Sequence, residues 1–329
     1  MTLSAINNTF GEATEQVQRH GIDVSEKRLR TVSEKTGALA LAKRAAELET
    51  FQQGTLPQQD TFSGKRVVVT IDGGRTRMRK TKQGKKKHGQ KRRGFHTDWR
   101  EPKLFKLYAM DATGKKQDRH ILPWRDRTHS GREKFKELLK MYLFKTNVAS
   151  AEQIIFINDG APWIWNLIDE LIDELKFDAQ KIYKVLDFYH AAEHLWLVID
   201  SLGRITEKQK KRLFKTCRNQ LKSGQINDII ERLGKKATSS KKAYNELRYF
   251  RDKEERCRYD LFLNNNIPIG SGAIESTIRR VVNLRLKGAD DRTIQCNIHL
   301  RESGCGSKVD EYLQRPYAAI ARIVRESLH

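Results

Sequence analysis

Apolar residues along this chain fall into two kinds of run. Short unbroken blocks rich in β-branched residues, bounded by polar or turn residues, read as buried strands. They are KRVVVTID (65–72), LFKLYAMD (104–111), DRHILPWR (118–125), EQIIFIND (152–159) and KIYKVLD (181–187). Elsewhere apolar residues recur every three or four positions, the spacing of amphipathic helices. Such stretches are GREKFKELLKMYLF (131–144), PWIWNLIDELIDEL (162–175) and FYHAAEHLWLVIDSL (188–202). Pro162 suits a first helical turn, where its missing N–H costs nothing. The order is three strands, then helix, strand, helix, strand, helix, which fits a mixed α/β sheet.

Outside this block the pattern is helical. Up to about residue 50, Val24, Leu29, Val32, Leu39, Leu41 and Ala45 keep roughly helical spacing, and Gly21 and Gly37 punctuate it. A short helix-turn-helix and a plain helical pair both fit. Residues 52–64 are polar and turn-rich and read as a linker. Strand patterns stop from 203 to 266, where Thr206 and Gln209 have capping-box spacing ahead of KQKKRLFKTCRNQL. AIESTIRRVVNLRL (273–286) is a further helix, with Ile274, Ile278, Val281 and Val282 on its apolar side. In the tail, 289–329, only YAAIARIVRESL reads as helical.

Charge changes this picture. The 329 residues carry a formal net charge of +23. Lys and Arg in such excess suit a polyanion, because neutralising phosphates releases condensed counterions. The charges are spread along many segments, which favours nucleic acid over a membrane surface. No apolar run is long enough to span a bilayer, and the first residues lack a signal-peptide pattern. A cytoplasmic protein is expected, and Cys217, Cys257, Cys296 and Cys305, with no CxxC pair, read as reduced thiols.

The candidate chemistry lies at strand ends. Asp72 ends the first strand and Asp159 the fourth, and open α/β sheets assemble sites at such ends. Two carboxylates meeting there would suit bound Mg²⁺ or Mn²⁺. Each also has a local explanation: Asp72-Gly73 as a hairpin turn, Asp159 as a helix cap. The segment after Asp72 is long for a hairpin loop and has no acidic residue from Gly73 to His96. Its Arg75, Arg77, Arg79, Lys80, Lys82, Lys85, Lys86, Lys87, Lys91, Arg92 and Arg93 predict a flexible arm that grips phosphates without reading bases. Asp187 and His190 are three apart across a strand-to-helix junction, where Asp187 is a natural N-cap. His190 and His194 flank Glu193 in an order that differs from H-E-x-x-H, which argues against zinc. Glu275 follows a Gly-Ser-Gly turn and precedes Arg279 by four residues. A first-turn carboxylate and an i, i+4 pair explain it locally. In chain order, though, Asp72, Asp159 and Glu275 are the set that two-metal phosphoryl transfer needs.

Together VVVTIDGG, IIFINDGA, VLDFYHAAEHLW and IPIGSGAIESTIRRVVNLRLKG resemble the DDE transposases of bacterial insertion sequences, above all the Kra-type group, related to Mutator-like transposases. The resemblance covers roughly 65–288. It implies a ribonuclease H-like mixed sheet (61–202 and 267–288), an all-helical insertion (203–266) before the last catalytic helix, an N-terminal helical region with linker (1–60) and a tail (289–329). It implies a metal-bound triad of Asp72, Asp159 and Glu275, with Asp187 and His190 in support. The expected activity is metal-dependent phosphodiester hydrolysis and strand transfer at element ends, with double-stranded DNA as the partner, in association with the nucleoid and with room for a homo-oligomer. Arg279, Arg280 and Arg285 join the basic arm as expected DNA contacts. Two other functions fit the same residues: a non-catalytic DNA-binding protein derived from a transposase, and a structure-selective nuclease of the same fold. If the arm grips duplex phosphates, neutralising four of its Lys or Arg flattens the plot of log affinity against log salt by up to about 3.6 units. Salt titrations on unrelated duplexes should show the same flattening for each.

Overall fold

A computed structural model describes residues 10–73, 76–84, 88–89, 94–117, 124–128, 131–203, 205–238, 240–251 and 253–272. The helix expected over 273–286 and the tail lie outside them. The chain opens with α1 (Phe10–Arg19) and α2 (Glu26–Gln52). It continues through β1 (Arg66–Gly73), β2 (Thr76–Thr81), β3 (Phe95–Arg100), β4 (Lys103–Met110) and β5 (Trp124–Thr128). Then follow α3 (Arg132–Lys145), β6 (Gln153–Asn158), α4 (Pro162–Glu174), β7 (Ile182–Leu186) and α5 (Phe188–Asp200). Among the described residues α6 (Glu207–Lys222), α7 (Ile226–Ala237), α8 (Lys241–Leu247) and α9 (Tyr259–Asn264) complete it.

Five strands make one mixed sheet in the order β5-β4-β1-β6-β7, and β2 and β3 pair separately. β1 is antiparallel to β4 and parallel to β6, β4 is antiparallel to β5, and β6 is parallel to β7. The α/β class read from the sequence is thus present. Residues 66–71 of β1 are all buried, so the sheet is covered on both faces there, which is why its sequence shows no alternation. Val67, Val69, Phe105, Ile155 and Phe156 pack with Phe135, Leu139, Trp165, Ile168 and Leu195 of the helices. Pro162 stands in the first turn of α4, and both bonds of the Thr206–Gln209 capping box are formed.

The helical block after α5 shares this core. Cys217, Leu221, Ile229, Leu233, Leu247 and Phe250 belong to the same cluster as the sheet. Tyr259 Oη donates to the Leu186 carbonyl at 2.9 Å, tying α9 to the end of β7. At the N-terminus α1 packs Phe10, Ala13 and Val17 against Val24 and Leu29 in a second, smaller cluster. The far half of α2 is pinned by two ion pairs, Arg44 to buried Asp126 at 3.0 Å and Glu47 to buried Lys145 at 2.7 Å.

Four expectations need correction. Gly21, with φ of +77°, does end its helix. Gly37 does not, because α2 runs through it and buries it. One glycine costs about 1 kcal/mol against alanine, and the anchors at Arg44 and Glu47 outweigh that. The third core strand spans 124–128 in place of the expected 118–125, and 118–123 lie outside the described residues. It runs three residues past the expected end, on the edge of the sheet beside β4. The 52–64 linker is a packed segment: Leu56 and Phe62 are buried, and the Gln59 and Phe62 amides donate to Lys145 and Thr146 carbonyls. Two apolar residues in a polar stretch leave no periodicity to read. Finally, part of the arm expected to be flexible is the β2–β3 ribbon.

Arg66 holds the sheet end opposite the strand ends that carry Asp72 and Asp159. Its guanidinium, 8% exposed for the residue, donates to Gln153 Oε1 and to the carbonyls of Asp111, Ala112, Asn265 and Asn266. One side chain so ties β1, β6, the turn after β4 and the end of the helical block. Arg66→Met orphans several of these acceptors, each worth about 1–3 kcal/mol when buried. Urea denaturation should show a loss of at least about 2 kcal/mol, with cleavage near 265–266 in limited proteolysis of the variant.

Candidate active site at the strand ends

Three neighbouring strands each run out into an aspartate. Arg66 pairs with Gln153 and Val69 with Phe156 across β1 and β6. The same register carried onward brings Asp72 opposite Asp159. Ile154 pairs with Ile182 and Asn158 with Leu186 across β6 and β7, which brings Asp159 opposite Asp187. All three therefore stand in one row at the C-terminal ends of parallel strands, where adjacent strands lie about 4.8 Å apart. Asn158, one residue before the row, fastens it. Its Oδ1 accepts the Ile71 amide and its carbonyl accepts the Asp187 amide at 2.8 Å.

The three carboxylates are used differently. Asp187 is fully buried and caps α5, accepting the amides of Tyr189 at 2.7 Å and His190 at 2.9 Å on Oδ1. Its Oδ2 accepts the Ser271 amide. With three backbone donors, Asp187 is a structural anion whose oxygens are already engaged. Asp159 is half-buried; its Oδ1 accepts the Ala161 amide at 3.0 Å, closing the turn into α4, and its carbonyl accepts Trp165 Nε1 at 2.7 Å. It does not itself cap α4, whose N-cap is Ala161. Asp72 is half-buried in β1, which stays paired to β4 through Gly73 opposite Lys103. The tight Asp-Gly hairpin considered for it is therefore absent.

Glu275, Arg279, Arg280 and Arg285 lie outside the described residues, as do Arg75, Lys85, Lys86, Lys87, Lys91, Arg92 and Arg93. The approach to Glu275 is described. The Phe188 amide donates to the Ile269 carbonyl at 2.8 Å, and Ser271 is held by Asp187. Gly270 packs close under the Tyr189 ring, which would have to move for a Cβ, since that atom would stand 2.6 Å from it. The Gly-Ser-Gly stretch thus reaches the aspartate row four residues before Glu275. Arg77, Arg79 and Lys80 are on β2, and Lys82 follows it, exposed.

His190 lies 3.6 Å from Glu193 and is held through its amide by Asp187. His194 Nδ1 lies 2.8 Å from Glu246, and its ring stacks on Tyr249 at 3.7 Å. Each histidine therefore has a carboxylate neighbour. Among the described residues no group of three His, Cys, Asp or Glu is placed to hold a metal. Cys217 and Cys257 are buried, unbonded thiols, and burial pushes Cys257 up to about 12 from 9.0.

Sequence reasoning missed two neighbours of the row. Glu101 sits beside Gly73, its Oε1 3.0 Å from where a Cβ would stand, and pairs with Lys103 at 3.5 Å. Tyr249, from the loop after α8, lies against Gly160, whose Cβ would be 2.2 Å from the ring. Burial pushes its phenol well up, and the Asp159 charge adds to this. Its buried oxygen lies by the Gly160 amide without a hydrogen bond of good geometry. A glycine after a strand-ending aspartate was the only trace of this contact in the sequence.

No known family matches the chain in a scan against protein families, and no curated protein sequence matches it. The Gly160 contact is testable on its own. Gly160→Ala forces ring and turn apart, at about 1–3 kcal/mol as for other overpacked sites. Thermal melts should recover part of that loss in Gly160→Ala/Tyr249→Ala, and a double-mutant cycle would measure the coupling.

Proposed function

We propose that this protein is a ribonuclease H-like, metal-dependent enzyme that cuts and joins DNA phosphodiesters in the manner of a DDE transposase. The observation that carries the reading is the register: separate stretches of chain, each ending a strand in aspartate, arrive in one row. Helix capping requires this only of Asp187. The sheet supports the same reading, with three antiparallel strands followed by two parallel ones and a helical block before the Gly-Ser-Gly stretch.

The donor set fits a hard divalent cation, because Mg²⁺ and Mn²⁺ prefer carboxylate oxygen. Asp72 and Asp159 would hold it, with Glu275 as the third carboxylate by resemblance. Bound there, the cation would activate water or a DNA 3′-hydroxyl and offset charge on the leaving oxygen. The chain's own residues supply position. Asn158 fixes the spacing of the row, Ala161 orients Asp159, and Asp187 holds the turn that leads to Glu275. Lys103, over the Trp163 ring at 5.4 Å, and the basic ribbon supply positive charge on the DNA side.

The test uses the full chain, end-labelled duplex carrying candidate terminal repeats, and Mg²⁺ or Mn²⁺. Cleavage is expected with either cation and none in EDTA. Asp72→Asn, Asp159→Asn and Glu275→Gln should fall to background while retaining native melting and DNA affinity. Cleavage by Asp72→Asn at the wild-type rate would overturn the reading. DNA binding without cleavage by the wild type would leave a binding protein of the same fold.

A further inference from the structure

The β2–β3 ribbon is built as an outgrowth of the sheet. Gly73 pairs with Lys103 at the end of the β1–β4 ladder, and Thr76 pairs with Arg100 at the start of the ribbon. The two-stranded ribbon thus leaves the chain just after β1 and returns to it just before β4, next to Asp72. The ribbon holds six pairs in all, from Thr76 opposite Arg100 to Thr81 opposite Phe95. Trp99 pairs with Arg77, five residues after Asp72 in the chain.

Two features of the ribbon belong together. Between Gly74 and Arg100 there are 12 Lys or Arg and one acidic residue, Asp98. On β3, Trp99 is 57% exposed and Phe95 44% exposed. Four residues apart on a strand, they share a face. Arg77 and Arg79 occupy the register positions opposite Trp99 and Thr97. Phosphate contacts alone need only the charge. A duplex offers base edges in its grooves, and these are read by polar groups, whereas an indole or phenyl ring gains most from the flat face of a base. That face is available only where bases are unpaired or unstacked. Basic side chains along a backbone path, interleaved with exposed aromatic rings, are the combination that holds single strands.

We propose that the β2–β3 ribbon binds unpaired DNA next to the cutting site, with Trp99 and Phe95 each stacking on a base and the basic residues of the ribbon's two strands and Lys82 supplying charge for its phosphates. This rests on the proposed function for the identity of the site, and it names what the substrate must contain: a frayed or single-stranded stretch flanking the scissile bond. The ribbon's root at Gly73 and Lys103 puts that stretch on the same strand ends as Asp72.

The experiment measures binding of the full chain in EDTA, so that chemistry plays no part. The probes are short oligo(dT) and a fully paired duplex of equal length, by fluorescence anisotropy at several salt concentrations. Trp99→Ala should weaken oligo(dT) binding about fivefold to a hundredfold, the range for one stacked base. Phe95→Ala should act in the same direction. Trp99→Phe should keep most of the affinity, duplex binding should change less than twofold, and the salt slope should stay as in the wild type. Melting temperatures recorded alongside separate a folding defect from a loss of stacking. Equal losses on duplex and oligo(dT), or no loss on oligo(dT), would overturn the proposal. So would a change of oligomeric mass in Trp99→Ala with unchanged DNA binding, which would make this face a protein contact. Selective stacking by a wild type that fails to cut DNA in Mg²⁺ or Mn²⁺ would support the ribbon's role and remove the catalytic reading alone.

Discussion

The Asp187 carboxylate is the interaction on which the candidate site depends. A buried anion is costly unless its oxygens are satisfied by strong donors, and backbone amides are among the best. Asp187 has three: two from the first turn of α5 and one from Ser271. It ends β7, starts the next helix and fixes a segment that returns after the whole helical block. Together with the Phe188 amide on the Ile269 carbonyl, that anchor keeps the Gly-Ser-Gly stretch at the start of α5. Of the three aspartates at the strand ends, Asp187 is thus the one whose oxygens are spent on architecture.

Arg66 performs the complementary task at the opposite end of the sheet. Five acceptors from three separate segments converge on one guanidinium, among them Asn265 and Asn266 at the end of α9. The stretch from Asn266 to Ser271 therefore runs between two polar clamps, one cationic and one anionic. The helical block held by these clamps packs into the sheet's own core through Leu221, Leu233 and Phe250. It also touches the site, because Tyr249 occupies the space left by the missing side chain of Gly160. Motion of α8 and its following loop would be felt at the turn that orients Asp159.

Much of the fold was legible in the residues. The strands ending at Asp72, Asp159 and Asp187 were visible because buried parallel strands are continuous apolar runs, and Pro162 and the Thr206–Gln209 box mark helix starts by local chemistry. Asp187 as a cap follows from its own neighbours, Tyr189 and His190. The failures have one cause. Phe62, the start of β5, the continuity of α2 through Gly37 and the ladder of the basic ribbon are each decided by a partner far away in the chain. The sequence around them is polar, short or glycine-bearing, and offers no period to read.

The sequence by itself determined which residues end strands, which begin helices, and that the chain carries a large positive charge suited to a polyanion. These are properties of neighbours within a few positions, or of simple addition. Only the tertiary structure decided that Asp72, Asp159 and Asp187 share a row, that Asp187 is consumed by amides, and that Tyr249 leans on Gly160. Register between strands is set by how side chains from distant segments fill one core, and a shift of a single residue would turn each aspartate to the other face of the sheet. No local pattern carries that information, because it does not exist until the strands have met.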